Sequence, residues 1–218
     1  MRCCLAGMLL CANVLASPAA GPQQAQGFAD LPRQRVELKG CTFELPMRKG
    51  FQIRPAEDDA PPQAVNFYGK LIAGKTVRID ETRITFACYD SNKPDALRGY
   101  CIKPADGGWV QAENEPGRDG CDEGPYVKHV ALRGSNWVGL GALERRTAVP
   151  EEEQALSLTI CLIKEPSVLC ANTSDLQYEV RPKENALPFV LDYLRNITFV
   201  DPPAPLSPAS AAGSAPSP

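Results

Sequence analysis

Six cysteines beyond residue 20 constrain this chain more than any other feature. The sequence holds nine, and Cys3, Cys4 and Cys11 fall in an N-terminal apolar run, which leaves Cys41, Cys88, Cys101, Cys121, Cys161 and Cys170. An even set in an exported chain reads first as three disulfides. No C-x-x-C occurs among the six, and His129 is the only histidine, so the paired spacing of a structural zinc site is missing.

The pair with the clearest local geometry is in "LTICLIKEPSVLCAN", Leu158 to Asn172. Two apolar, β-branched runs flank "KEPS", which carries turn chemistry. Symmetric pairing about Glu165 and Pro166 sets Ile163 against Val168, Leu162 against Leu169 and Cys161 against Cys170. Directly opposed residues of an antiparallel pair lie close enough for a bridge. We therefore expect Cys161 and Cys170 to be a staple and not a redox dithiol, since nothing nearby would activate a thiolate. Cys41, Cys88, Cys101 and Cys121 leave three connectivities open.

The start of the chain fits the disulfide reading. Arg2 is followed by "CCLAGMLLCANVL", Cys3 to Leu15, and "VLA" sets small residues before a cleavage point. That is a signal-peptide pattern, too short for a membrane span. We assign 1–20 as a signal peptide and 21–30 as a flexible leader. A single domain follows over 31–201, and 202–218 is a disordered Pro/Ala/Ser tail. Cys11 follows Leu10 where a lipoprotein site needs a small residue, so no membrane anchor is expected, and the mature chain is expected to be exported and soluble.

Strand patterns dominate the domain. "TVRID" and "TRITFACY" alternate around Asp80 and Glu81, with Val77, Ile79, Ile84, Phe86 and Cys88 on one face. "YVKHVALRGSNWVGLGALE" reads as a second hairpin turning at Gly134–Ser135, with Leu132 opposite Trp137 and His129 opposite Leu140. Its apolar residues on both faces predict a central position. One helix is signalled by Leu187, Val190, Leu191, Leu194 and Ile197, with Asn185 as cap and Pro188 in the first turn. "ITFV" reads as a short final strand. The expected fold class is α+β, a mainly antiparallel sheet with a C-terminal helix packed on it and up to three disulfides.

Catalytic patterns are missing. No nucleophile elbow, P-loop, dinucleotide fingerprint or zinc-protease motif occurs. His129, among Val127, Ala131 and Val138, is expected to be a core or half-buried side chain and not a base. No cofactor or metal is expected. The most distinctive segment is "KPADGGWVQAENEPGRDGCDEGPY", Lys103 to Tyr126, bounded by Cys101 and Cys121. It sets Asp106, Glu113, Glu115, Asp119, Asp122 and Glu123 against Lys103 and Arg118. Long tethered loops are often functional. Trp109, Glu113, Glu115, Asp119, Asp122 and Glu123 are therefore candidate contacts for a basic protein partner. The alternative is a solvated loop whose Trp covers the sheet. Without Arg2 the 23 bases become 22 against 26 acids, and no basic patch with aromatics appears, which argues against nucleic acid.

"LKGCTFELPMRKGFQI", Leu38 to Ile53, and "LPFVLDYLRNITFVD" near the end resemble bacterial periplasmic immunity proteins of type VI secretion, of the kind that neutralises lipase effectors. They also resemble small α+β domains of the MOG1/PsbP type. The resemblance implies a non-enzymatic inhibitor whose partner is a secreted toxic effector. The expected function is thus a periplasmic binding or inhibitory protein, against two alternatives, a cell-envelope hydrolase using a carboxylate pair and an envelope assembly factor.

Overall fold

The computed structural model describes residues 27–56, 64–71, 81–112, 121, 126–145, 150, 154–177 and 185–201. Its centre is the hairpin of β10 (Leu156–Lys164) and β11 (Ser167–Thr173), which turns at Glu165 and a cis Pro166. Ile163 opposes Val168, Leu162 opposes Leu169 and Cys161 opposes Cys170, the register that the two apolar runs predict. Toward their shared turn both strands are buried on both faces, as their near-continuous apolar sequence requires, while Thr159 and Asn172 at the far end are half-exposed and exposed.

Around this hairpin the chain builds β1 (Arg33–Leu38), β2 (Cys41–Pro46), β3 (Gln52–Pro55), β4 (Ala64–Gly69) and β5 (Thr82–Asp90). Then come β6 (Ile102–Ala105), β7 (Gly108–Gln111), β8 (Val127–Arg133) and β9 (Val138–Arg145). Helix α1 (Leu187–Arg195) and β12 (Thr198–Phe199) follow β11. Seven strands form one antiparallel sheet in the order β3-β4-β5-β11-β10-β9-β8. A smaller sheet, β1-β2-β12, and α1 cover its front face. The fold is therefore α+β, mainly antiparallel sheet with a helix near the C-terminus.

The front core holds Phe43, Phe67, Phe86, Ile84, Leu158, Ile160 and Leu162 from strands, and Val190, Tyr193, Leu194 and Ile197 from the C-terminal region. Asn185, one residue before the N-cap position Ala186, satisfies the first N–H of α1, its Oδ1 accepting from the Leu187 N–H at 2.9 Å. Tyr193 lies outside the stripe expected from the sequence, yet it is the largest fully buried side chain. Its ring meets Phe28 edge-on at 5.2 Å and Phe67 at 4.7 Å. Phe28 belongs to a short 3-10 turn, Phe28–Asp30, so the packed domain already includes the segment just before residue 31.

The rear face has two halves. Cys161, Ile163, Val168 and Cys170 lie under a 3-10 turn, Pro94–Tyr100, and under the β6–β7 hairpin, with Leu97 and Ile102 buried between. The other half is polar and has no such cover among the described elements. Three disulfides tie the layers, Cys41–Cys88, Cys101–Cys121 and Cys161–Cys170. They settle the connectivity that the sequence left open.

Two expectations change. The β8–β9 hairpin turns through 134–137, four residues, so Leu132 opposes Gly139 and His129 opposes Ala142 instead of Leu140. Trp137 causes the shift. It is buried, and its indole N–H donates to the Ile197 carbonyl at 2.8 Å beyond the end of α1. The ring folds over Gly134, where a Cβ would sit 2.1 Å from it. A two-residue turn would have placed Trp137 in the ladder. This hairpin also ends the sheet and is not central, with β8 at the edge. Its apolar residues on two faces meet the front core through Leu132 and the rear cluster through Leu140.

The partner of β5 over Thr82–Ala87 is β4, and over Thr85–Asp90 β11 takes the other edge. The Val77–Asp80 arm lies outside the described residues, as do 1–26 and 202–218.

Candidate interaction site at the stapled loop

The acidic segment starts from a fixed base. Cys101 ends the 3-10 turn in the left-handed conformation, φ 55°, and sends the chain into β6. The β6–β7 hairpin turns at Asp106 and Gly107, the glycine at φ 86°, a value that favours residues lacking a Cβ. Past β7, the Ala112 N–H donates to the Cys101 carbonyl at 2.8 Å. The disulfide then joins Cys101 to Cys121 with Cα atoms 5.2 Å apart. His129, on β8, lies with Nε2 2.9 Å from the Cys121 carbonyl. The Arg145 N–H donates to the Tyr126 carbonyl at 2.8 Å where the chain re-enters the sheet.

Both ends of the loop are thus held against the rear face. Gln111 adds a tether, its Nε2 donating to the Gly141 carbonyl at 2.8 Å. His129 is half-buried and acts as a clamp, in keeping with its expected core role. Glu113, Glu115, Asp119, Asp122 and Glu123 lie outside the described residues.

Trp109 does not stand free. It is half-buried against the Cys161–Cys170 cluster, and its indole N–H donates to Glu165 Oε1 at 3.1 Å. It covers the sheet, as the alternative reading of this segment held. The exposed apolar groups beside the loop are Val110, 41 % exposed, and Tyr126, 54 % exposed. Beneath the hairpin, Tyr89 and Tyr100 share a hydroxyl hydrogen bond of 2.8 Å. Burial, and then that bond, push the Tyr100 phenol well above its ordinary range, so it stays neutral.

Glu165 links this site to a groove of about 320 Å³ on the other side of the β10–β11 turn. Leu38, Cys41, Lys164, Ser167, Phe199 and Asp201 contribute to its walls. Lys164 and Asp201 form an ion pair, and Ser167 donates its hydroxyl proton to the Gly40 carbonyl at 2.7 Å. The groove carboxylates, Glu165 and Asp201, are each engaged by a donor, Trp109 and Lys164. No sequence motif marks this groove; it forms where the β1–β2 turn, the "KEPS" turn and the residues after β12 converge.

Among the described residues no cluster of three His, Cys, Asp or Glu side chains could hold a metal ion. Among the same residues no helix is long and apolar enough to cross a membrane. The chain matches no protein-family model, and a search of curated proteins returned no significant match.

Proposed function

We propose that this protein is exported to the bacterial periplasm and acts there as a non-enzymatic inhibitor. The most concrete form is an immunity protein that occludes the active cleft of a basic toxic effector. The observation that carries the reading is the anchoring of both ends of the acidic loop, by the Cys101–Cys121 disulfide, the His129–Cys121 contact and the Ala112–Cys101 hydrogen bond. An anchored loop has less conformational freedom to lose on binding. Its acids complement a cationic cleft and raise the rate of encounter. In this reading Glu113, Glu115, Asp119, Asp122 and Glu123 contact the partner. Tyr126 supplies the exposed aromatic, and Trp109 holds the hairpin beneath. Three disulfides support an oxidising compartment.

The test is capture of secreted proteins of the source organism on the oxidised mature chain, at several salt concentrations. The expected result is one stoichiometric basic protein, released by salt and lost when the five loop acids are replaced by Ser. That protein should arrest growth when sent to the periplasm of a host cell, and coexpression of this chain should restore growth. Equal capture by the Ser variant refutes the loop assignment. A captured protein that is harmless in the periplasm refutes inhibition.

A further inference from the structure

The polar half of the rear face forms one continuous row. Directly opposed residues share a face in an antiparallel pair. By register, Arg54 opposes Asn66, Asn66 opposes Thr85, Thr85 opposes Asn172, and Asn172 opposes Thr159. Five strands therefore set guanidinium, amide, hydroxyl, amide and hydroxyl in line, with Asn66 buried and the other four exposed or half-exposed. At ~4.8 Å per strand the row runs about 19 Å. Two links are already made. Thr85 Oγ1 donates to Asn66 Oδ1 at 2.7 Å, and Asn172 Nδ2 donates to Thr159 Oγ1 at 3.0 Å.

Asn66 is 1 % exposed, and its Nδ2 has no hydrogen-bond partner. An unsatisfied buried amide is uncommon, and each such group calls for an explanation. The neighbouring row supplies Tyr68 and Arg83, opposed across β4 and β5. The Arg54 guanidinium lies 5.2 Å from the Tyr68 ring centre, and that of Arg83 5.9 Å. Arg54, Arg83 and Asn172 are exposed. Glu144, beyond Ser157 on β9, is the acid of these rows, at the opposite end from the arginines.

We propose that this face binds an anionic polysaccharide, a linear saccharide chain with spaced carboxylates. Amides and hydroxyls in a row match sugar hydroxyls in both donor and acceptor capacity. Arg83 complements a sugar carboxylate, which accepts paired N–H groups, and Arg54, whose Nε and Nη2 donate to Gln52 Oε1, adds positive charge beside it. The orphan Asn66 Nδ2 is buried beneath the row, so the exposed and half-exposed members make the contacts. A protein partner fits poorly, since interface centres are apolar and aromatic, and Val110, Tyr126 and Val138, the exposed large apolar side chains among the described residues, lie elsewhere. A nucleic-acid backbone fits poorly as well, since it needs more cations than Arg54 and Arg83 opposite Glu144. The proposal does not depend on the inhibitor reading.

Native gel electrophoresis of the oxidised full chain through alginate, a linear polymer of uronic acids, tests the proposal against neutral dextran. The protein carries net charge −3, so a polyanion should not retain it by bulk attraction. Retardation in alginate but not in dextran is expected. The Asn172→Ala, Thr159→Val double variant should bind about tenfold more weakly, the order expected for two lost hydrogen bonds. Arg83→Gln, at an exposed position, should weaken alginate binding without changing the thermal melt. Tyr126→Ser, a charge-neutral change at the exposed aromatic beside the loop, should leave retardation intact. No retardation in alginate, equal retardation in dextran, or unchanged binding by both the double variant and Arg83→Gln would overturn the proposal.

Discussion

Replacing Tyr193 by Phe should stabilise this protein. Tyr193 is fully buried, and its hydroxyl has no hydrogen-bond partner. Its ring contacts with Phe28, Phe51 and Phe67, at 5.2, 6.0 and 4.7 Å, involve only the six-membered ring that Phe shares. An unsatisfied buried hydroxyl costs about 1–3 kcal/mol, and removing it leaves no orphan behind. The expected gain is roughly 1 kcal/mol at neutral pH, or about 2–4 °C in Tm for a chain of this size.

A second signature follows from ionisation. Burial holds the Tyr193 phenol well above its ordinary value in the folded state, while the unfolded state ionises near the ordinary value of about 10. The folded pKa is raised, so this stability is whole below pH ~10 and falls as pH rises above it. The loss approaches about 1.4 kcal/mol per pH unit for one such group. Tyr100 adds a loss of the same sign, through burial and its bond to Tyr89. Urea melts of the oxidised wild type and the Tyr193→Phe variant at pH 7.5 and above pH 10.5 separate the effects. The variant should be more stable at both, with a shallower alkaline decline. A variant less stable at pH 7.5, or one with the wild-type alkaline slope, refutes the reasoning.

Removing the Cys161–Cys170 bridge with two Ala substitutions should lower stability by ~2.5–3 kcal/mol, the loop-entropy value for so short a ring, and still leave a cooperative urea transition. Trp137→Phe should cost about 1–2 kcal/mol in the same assay, since the buried Ile197 carbonyl loses its donor. Asn185→Ala should cost about 1 kcal/mol through loss of its bond to the first N–H of α1, read as a lower urea midpoint.

The sequence is legible where the signal is local. The β10–β11 register follows from a two-residue turn between apolar runs, and α1 from its helical spacing, Asn185 and Pro188. Trp137 shows where local reading ends. Gly134–Ser135 matches a tight turn, but the turn is decided by a carbonyl sixty residues away. The sheet order is non-local for the same reason. Whether a hairpin sits at the centre or the edge depends on strands far along the chain, and apolar groups on both faces arise in either place. Trp109 is a similar case, since its composition-rich surroundings say nothing of Glu165 across the fold. Tyr193 lies off the aliphatic stripe of α1, so helical spacing alone does not predict its burial.

The polar row could be counted in the sequence only after the register was known. Asn66, Thr85, Asn172 and Thr159 lie on four strands, with no spacing that links them. The same registers place Ala87, Cys170 and Cys161 one row away, under the cover that Cys101–Cys121 helps to hold. The rear face is thus divided by side-chain polarity within single strands. Apolar residues at 161, 163, 168 and 170 demand cover, and the 3-10 turn and β6–β7 supply it. Polar residues at 159 and 172 make no such demand. The β10–β11 hairpin therefore carries the stapled loop at one end and the open polar face at the other. Ligands of the two faces should bind together, and a Tyr126→Ser variant that loses its protein partner should keep its full affinity for alginate.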